Sequence, residues 1–124
     1  MTPTAKAVAV TSDLMFVVKI NDAAKKAGLQ VVCVKSKEDA LAQAGAQPRL
    51  IIIDLNCPSV DGVDLIRSLK ASEELRAIPV VSFLSHVQVD LGRAAEEAGC
   101  DMVLPRSAFS QNVNEILAAH RAAE

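Results

Sequence analysis

The sequence contains no tryptophan, no tyrosine and only three phenylalanines among its 124 residues. Proteins that hold single-stranded nucleic acid on stacked side chains need more aromatic surface than this. Lys and Arg number 13 against 15 Asp and Glu, which gives a net charge of -2, and no block of like charge stands out. Because nucleic-acid-binding proteins concentrate positive charge on one face, we expect no nucleic-acid partner.

Cysteine and long apolar runs are also scarce. Cys33, Cys57 and Cys100 are widely spaced, with no CxxC pair and no histidine at zinc-ligand spacing. We expect them to be free thiols in a reducing compartment. No stretch approaches the roughly 18 apolar residues of a membrane span, and the N-terminus lacks a signal-peptide pattern. The sequence therefore predicts a cytoplasmic protein without membrane contact.

The composition that is present is typical of a folded domain. Hydrophobic residues make up 51% of the chain and charged residues 23%, which is too apolar for intrinsic disorder. The length falls within that of one domain and allows a core without disulfides or metals. We expect residues 1–124 to form a single domain, with no output domain encoded among them.

Short β-rich runs alternate five times with helix-length segments, and Gly, Pro, Asn or Ser separates them. The run Leu50–Ile53 is apolar without alternation, as a strand covered by helices on both faces requires. Right-handed crossovers wind such units into a parallel sheet between two helical layers, so the sequence predicts a three-layer α/β sandwich. The expected strands are residues 6–11, 29–35, 50–54, 79–84 and 101–104.

Helix boundaries and buried faces are also predicted. Ser36 begins a capping-box pattern and is expected to start the second helix. In the first helix, the apolar spacing predicts a buried stripe that consists of Leu14, Val17, Val18 and Ala24.

One carboxylate stands out at the predicted strand ends. Asp54 directly follows the apolar run of the third strand, and ligands of parallel α/β sheets collect at the carboxyl ends of the strands. A carboxylate there must offset its desolvation through a partner or a function. On this observation alone, a loop or cap carboxylate explains Asp54 as well as a functional group does.

The residues that follow Asp54 carry a family resemblance. The run Asp54-Leu55-Asn56-Cys57-Pro58-Ser59-Val60-Asp61-Gly62 resembles the phosphoacceptor segment D-x-N-x-P-x-M-[DN]-G of the response-regulator receiver family. The segments 78–81 and 98–101 are similar to the opening of the family's fourth strand and to the turn before its fifth strand. The resemblance implies a flavodoxin/receiver-like sheet of order 2-1-3-4-5 with five helices, and a non-enzymatic role in two-component phosphorelay signal transduction.

The resemblance also implies a chemistry. In the family, a phosphoryl group is transferred to the aspartate at the position of Asp54. Mg²⁺ is held there by an acidic pair after the first strand, by the phosphoacceptor and by the backbone carbonyl at the position of Asn56. A Ser or Thr after the fourth strand contacts the phosphoryl group, and a Lys after the fifth strand pairs with its charge.

This sequence departs from that pattern at each companion position. Thr11 and Ser12 stand where the acidic pair belongs, and Leu84 stands at the position of the hydroxyl, with Ser85 directly after it. Arg106 replaces the lysine and keeps its charge. Without the acidic pair, phosphoryl transfer loses the metal that neutralises the developing charge.

We therefore expect a pseudo-receiver: a receiver fold that works as a protein-interaction module, needs no cofactor and has an impaired Mg²⁺-dependent phosphorylation of Asp54. In this hypothesis Asp54 is paired permanently with Arg106. By resemblance, the docking surface is the fourth helix, fifth strand and fifth helix, residues 88–120, through which a protein partner or a weak homodimer is expected.

Two alternatives stay open. In the first, the chain is a divergent but active receiver in which Asp13, Asp54, Asn56 and water hold Mg²⁺, although Asp13 is also well placed to cap the first helix. In the second, the strand-end groove binds a flavin or a nucleotide. The second is disfavoured because the sequence has no glycine-rich phosphate loop.

Overall fold

The computed structural model describes residues 5–120 and contains five strands and five helices, with every strand within one residue of its predicted bounds. The strands are β1 (Lys6–Val10), β2 (Gln30–Val34), β3 (Leu50–Asp54), β4 (Val80–Leu84) and β5 (Met102–Pro105). The helices are α1 (Leu14–Lys26), α2 (Lys37–Ala44), α3 (Gly62–Ala71), α4 (Val89–Glu97) and α5 (Arg106–Ala119). Within the described residues, none of these helices combines the length and hydrophobicity needed to span a bilayer.

All five strands run parallel in the order β2-β1-β3-β4-β5, which confirms the predicted topology. Asp54 at the end of β3 lies opposite Phe83, and Leu84 at the end of β4 lies opposite Pro105. The segments that follow β1, β3, β4 and β5 therefore share one edge of the sheet.

Two apolar layers cover the sheet. Alternate side chains of β1 point to opposite faces, so that Val8 and Val10 join one core cluster while Ala7 and Ala9 join the other. The first cluster packs the sheet against α2, α3 and α4, and the second packs it against α1 and α5. All residues of β3 and β4 are buried, as the unbroken apolar run of β3 predicts.

All three aromatic rings of the sequence meet in the second cluster. Phe16 of α1 and Phe109 of α5 each have a ring centroid 4.5 Å from that of Phe83 in β4. The Phe83 and Phe109 rings are stacked, with 18° between their planes. Aromatic pairs at such distances add to the stabilisation from burial, so this triad fixes α1 and α5 on the sheet.

Side-chain caps set the starts of three helices. Asp13 accepts a hydrogen bond from the Met15 N–H at the start of α1, and Ser36 accepts one from the Asp39 N–H at the start of α2. Both caps confirm what the sequence predicts. Asp61 caps α3 in the same way.

The predicted buried stripe of α1 is wrong at two positions. The helix buries Phe16, Ile20, Ala23 and Ala24, whereas Leu14 is 75% exposed and Val18 is 59% exposed. Apolar residues occupy every position from 14 to 18, so the spacing alone did not identify the inward face. The Phe16 ring decides the orientation because it enters the aromatic triad.

One glycine permits a close approach between α3 and β3. A Cβ atom on Gly62 would lie 2.7 Å from Leu55 Cδ2 and 3.1 Å from Ile53 Cγ2. Both distances are shorter than ordinary carbon contacts of roughly 3.5–4.0 Å. A side chain at the first residue of α3 would therefore force Leu55 and Ile53 to shift.

A group of polar contacts lies at the amino-terminal ends of the strands. Lys70 Nζ donates to the carbonyl oxygens of Arg76 and Ile78, and to Asp101 Oδ2 at 2.9 Å. Asp101 Oδ2 also accepts the Val80 N–H at 2.8 Å. The end of α3, the loop that follows it and the start of β5 are thus joined through one ammonium group.

We predict that Gly62→Ala lowers the free energy of unfolding by about 1–3 kcal/mol, because the added methyl group overpacks the α3–β3 contact. Urea denaturation followed by far-ultraviolet circular dichroism measures the change. Gly45→Ala is the matched control: Gly45 has φ -61 and an ordinary 3.4 Å contact for the added carbon. Equal stability of the two variants would contradict the packing described here.

The second prediction concerns pH. Partial burial by itself raises the pKa of Asp101, but the Lys70 ammonium and the Val80 N–H stabilise the carboxylate more strongly, so the pKa falls below its ordinary 3.8. A lowered pKa contributes stability above the unfolded value, and that stability is lost as the pH falls through the folded pKa. The stability difference between wild type and Asp101→Asn is therefore expected to shrink below about pH 4.

Urea denaturation from about pH 7 to about pH 3 measures this difference. In a Lys70→Met background the same pH dependence is expected to flatten, because the main stabilising cation is gone. A difference that stays constant with pH would show that the ion pair does not stabilise the carboxylate.

Candidate functional site

The carboxyl-terminal edge of the sheet gathers the residues that the sequence singles out. Asp54 is the last residue of β3 and is only 3% exposed. We call the region around its carboxylate, at the carboxyl ends of the strands, the mouth of the site. Leu84 is the last residue of β4, and the other positions come from the segments that follow β1, β3, β4 and β5: Thr11, Ser12, Asp13, Asn56, Ser85 and Arg106.

Neutral donors satisfy both oxygens of the Asp54 carboxylate. The Thr11 hydroxyl donates to Oδ2 at 2.9 Å, and the Asn56 backbone N–H donates to Oδ1 at 2.9 Å. Thr11 is itself buried, and its Oγ1 accepts the Asp13 N–H at 3.1 Å. A buried carboxylate without such donors would be strongly destabilising, so Thr11 and the loop backbone are what make Asp54 tolerable at this position.

Arg106 pairs with Asp13, and the predicted pair between Arg106 and Asp54 is wrong. Arg106 Nη2 donates to Asp13 Oδ2 at 2.8 Å, while Asp13 Oδ1 keeps its helix-capping bond. The guanidinium carbon lies 5.0 Å from the centre of the Phe16 ring, a geometry that favours cation–π attraction. Both oxygens of Asp54 already have hydrogen-bond donors, and the Arg106 guanidinium is held over the Phe16 ring. Arg106 therefore pairs with the half-buried carboxylate of Asp13.

Asn56 connects the Asp54 loop to the loop after β4. Its Nδ2 donates to Gln88 Oε1 at 2.6 Å, and its Oδ1 accepts the Ser85 N–H at 3.0 Å. The sequence does not predict Gln88 as a residue of the site. A polar residue in a loop carries no pattern of its own, and only the folded sheet brings it beside Asn56.

Two further positions contribute less to the mouth. Leu84 is buried in the core cluster together with Ala95 of α4, and it has no hydroxyl to offer. Ser12 is exposed, and its hydroxyl lies 3.9 Å from the thiol of Cys57, which is a buried free cysteine. The structure therefore brings Thr11, and not Ser12, to Asp54.

The donors at this edge do not fit the magnesium site that the resemblance implies. Magnesium needs near-octahedral oxygen ligands, and its protein sites rely on carboxylates. Asp54 lies at the end of β3 with neutral hydrogen-bond donors, and the nearby Asp13 is engaged by Arg106 and by the Met15 N–H. Within residues 5–120, no three His, Cys, Asp or Glu side chains are grouped so that they could hold a metal ion.

Comparison with known proteins finds a family model and several relatives that match most of this chain. The family model described as the response regulator receiver domain matches residues 9–118. The chain is 31% identical over 97 residues to the sensory/regulatory protein RpfC of Xanthomonas campestris pv. campestris (strain 8004), a match that covers 76% of this chain but only 13% of RpfC. The polar-differentiation response regulator DivK of Brucella ovis is 27% identical over 103 residues, which covers 82% of this chain and 84% of DivK.

Solved structures show the same fold. The chemotaxis response regulator CheY4 of Vibrio cholerae superposes with a TM-score of 0.79 at 19% identity, covering 94% of this chain and 98% of CheY4. The receiver domain of the sensor histidine kinase PA1611 from Pseudomonas aeruginosa PAO1 gives 0.78 at 19% identity, covering 95% and 98% of the two chains. That structure was solved with a magnesium ion coordinated in the active site cleft.

The hydrogen bond between Thr11 and Asp54 leads to a stability prediction. Thr11→Val keeps the shape of the side chain but removes the hydroxyl that donates to Asp54 and accepts the Asp13 N–H. We expect the free energy of unfolding to fall by about 1–3 kcal/mol, because a buried acceptor loses its donor. Chemical denaturation at neutral pH measures the loss.

A double-mutant cycle supplies the control. An Asp54→Ala background has no carboxylate to accept the Thr11 hydroxyl, so Thr11→Val is expected to cost less there than in the wild type. An equal cost in both backgrounds would mean that Thr11 stabilises the fold without acting on Asp54.

Proposed function

The chain belongs to the response regulator receiver domain family, and we propose that within two-component signalling it is a pseudo-receiver. In this proposal the receiver fold binds protein partners, while Mg²⁺-dependent phosphorylation of Asp54 is impaired. The proposal needs no resident cofactor and no enzymatic activity. It treats residues 1–124 as one receiver-like domain that works in the cytoplasm without nucleic-acid or membrane partners.

The observation that carries the proposal is the chemistry around Asp54. Its carboxylate is held by a threonine hydroxyl and a backbone N–H, and both donors are neutral. A second and a third acidic oxygen donor would be needed to bind a divalent metal and to neutralise charge on a transferred phosphoryl group. At the positions of the family's acidic pair, Thr11 and Ser12 supply hydroxyls and no carboxylate.

The cation of the site supports the same conclusion. Arg106 is committed to Asp13 and to the Phe16 ring, on the rim of the mouth. Leu84 lies in the core and has no hydroxyl with which to follow a phosphoryl group. The residues at two positions that contact the phosphoryl group in a working receiver, Leu84 and Arg106, therefore have other contacts in this chain.

The interaction role is supported by the outer surface of the α4–β5 region. Val87 and Val89 are apolar side chains that lie exposed on either side of Gln88 at the start of α4, and Met102 at the start of β5 is exposed separately. Large exposed apolar residues that occur together often mark protein-binding surfaces. We propose this surface for a protein partner or a weak homodimer.

A divergent but active receiver is the second candidate. The retained motif around Asp54 favours it, as does the magnesium ion in the related receiver domain of PA1611. Asp13 would then have to leave Arg106 and join Asp54 and Asn56 as a ligand.

Phosphorylation in vitro separates the two candidates. Wild-type protein incubated with acetyl phosphate and Mg²⁺ is expected to gain no phosphoryl group, because the metal that catalyses the transfer lacks its acidic ligands. Intact-mass spectrometry measures the result, with Asp54→Ala as the control for modification elsewhere. A stoichiometric, Mg²⁺-dependent adduct that disappears in Asp54→Ala would overturn the pseudo-receiver proposal.

A gain-of-function variant tests the cause. The double substitution Thr11→Asp and Ser12→Asp places two carboxylates at the sequence positions of the family's acidic pair. We expect Mg²⁺ to raise the melting temperature of this variant and to leave that of the wild type unchanged, since a ligand stabilises only a fold that binds it. A similar shift in the wild type would show that hydroxyls suffice for the metal.

A further inference from the structure

The loop between β4 and α4 is held by one side chain from the neighbouring loop. Ser85 donates its backbone N–H to Asn56 Oδ1 at 3.0 Å and to Gln88 Oε1 at 3.2 Å, and Asn56 Nδ2 donates to Gln88 Oε1 at 2.6 Å. Within the described part of the chain, every recorded side-chain hydrogen bond of residues 85–88 belongs to this set of three. We call these three contacts the Asn56–Gln88 tether.

The tether reaches the buried carboxylate of the site. The backbone N–H of Asn56 donates to Asp54 Oδ1 at 2.9 Å, so the residue whose side chain holds the β4–α4 loop is itself fixed by Asp54. Asn56 is half-buried, as are Ser85 and Gln88. Shielding from water strengthens such hydrogen bonds and makes their loss costly.

Gln88 occupies the position directly before α4 without capping it through its side chain. Its backbone carbonyl accepts the Gly92 N–H at 3.1 Å, and its own N–H donates to the Ser85 carbonyl at 3.0 Å. Its side chain makes no capping bond to the helix and bonds instead to Asn56 and Ser85. The start of α4 is thus fixed to the Asp54 loop and not by a local cap.

Two exposed valines flank this anchor. Val87 is 71% exposed and Val89 is 62% exposed, one on each side of Gln88. Both valines are joined to Gln88 through planar peptide bonds, so a displacement of its backbone displaces both of them. A tether that fixes Gln88 therefore fixes the arrangement of the two apolar side chains on the surface.

We propose that Asn56 is a positioning residue for this surface: through Gln88 it holds Val87 and Val89 in one arrangement without a phosphoryl group. The proposal deepens the interaction role proposed above, and it rests on that role only for the importance of the two valines. Because Leu84 supplies no hydroxyl, the amide of Asn56 is the group that draws the β4–α4 loop toward the Asp54 site.

The test compares two substitutions of similar size at Gln88. Gln88→Glu keeps an oxygen acceptor for the Asn56 amide and for the Ser85 N–H, whereas Gln88→Leu removes it. Amide hydrogen exchange followed by NMR on the full chain is expected to be about fivefold to tenfold faster for Gln88→Leu at Ser85, Gln88 and Gly92, whose N–H groups are hydrogen-bonded in this segment. Gln88→Glu is expected to retain the wild-type rates.

Methyl resonances give a readout that a general loss of stability does not move. The methyl shifts of Val87 and Val89 are expected to change in Gln88→Leu and in Asn56→Ala, and to stay in place in Gln88→Glu. Ser59→Ala is the matched control, because it removes a hydrogen bond of the same loop, from the Ser59 hydroxyl to the Lys35 carbonyl, outside the tether.

Two results would overturn the proposal. One is unchanged exchange and unchanged valine methyl shifts in Asn56→Ala and Gln88→Leu. The other is an equal acceleration of all protected amides, which would mean that Asn56 only stabilises the fold as a whole. Neither readout involves phosphorylation, metal or a partner, so failure here leaves the pseudo-receiver proposal standing and the reverse is also true.

Discussion

The burial of the Asp54 carboxylate is the constraint on which the arrangement of the site depends. It lies at the end of a strand whose other residues are all apolar, and it is almost completely removed from water. Thr11 and the Asn56 N–H offset the cost of that burial, and each of these donors fixes the loop that carries it. Arg106 is left to pair with Asp13 at the rim. The mouth is thus organised around hydrogen bonds to a single anion.

Most of the fold could be predicted because the relevant signals are local. The unbroken apolar run of β3 and the cap at Ser36 specify a strand and a helix start from a few neighbouring residues. The orientation of α1 could not be predicted in the same way. Its first five residues are all apolar, and the choice between Leu14 and Phe16 as the inward residue depends on where the Phe83 and Phe109 rings lie.

The sequence predicts that the strand-end residues lie close together, but it predicts neither the part of Gln88 nor which side chains pair. Strand ends identify Asp54, Thr11 and Arg106 as neighbours, because parallel strands bring their carboxyl ends to one edge. Side-chain packing then determines which of these groups are in contact. The stacking of Arg106 on Phe16 directs its guanidinium to Asp13, and a half-buried glutamine in a loop becomes the partner of Asn56. Neither contact leaves a periodic trace in the sequence.

The aromatic triad has a practical consequence for spectroscopy. Since the chain has no tryptophan or tyrosine, its near-ultraviolet circular dichroism originates from Phe16, Phe83 and Phe109 together. That signal therefore reports how α1 and α5 pack on β4 and is insensitive to the opposite helical layer. Absorbance at the wavelengths used for tryptophan and tyrosine is almost nil, so it cannot serve to measure the concentration of this protein.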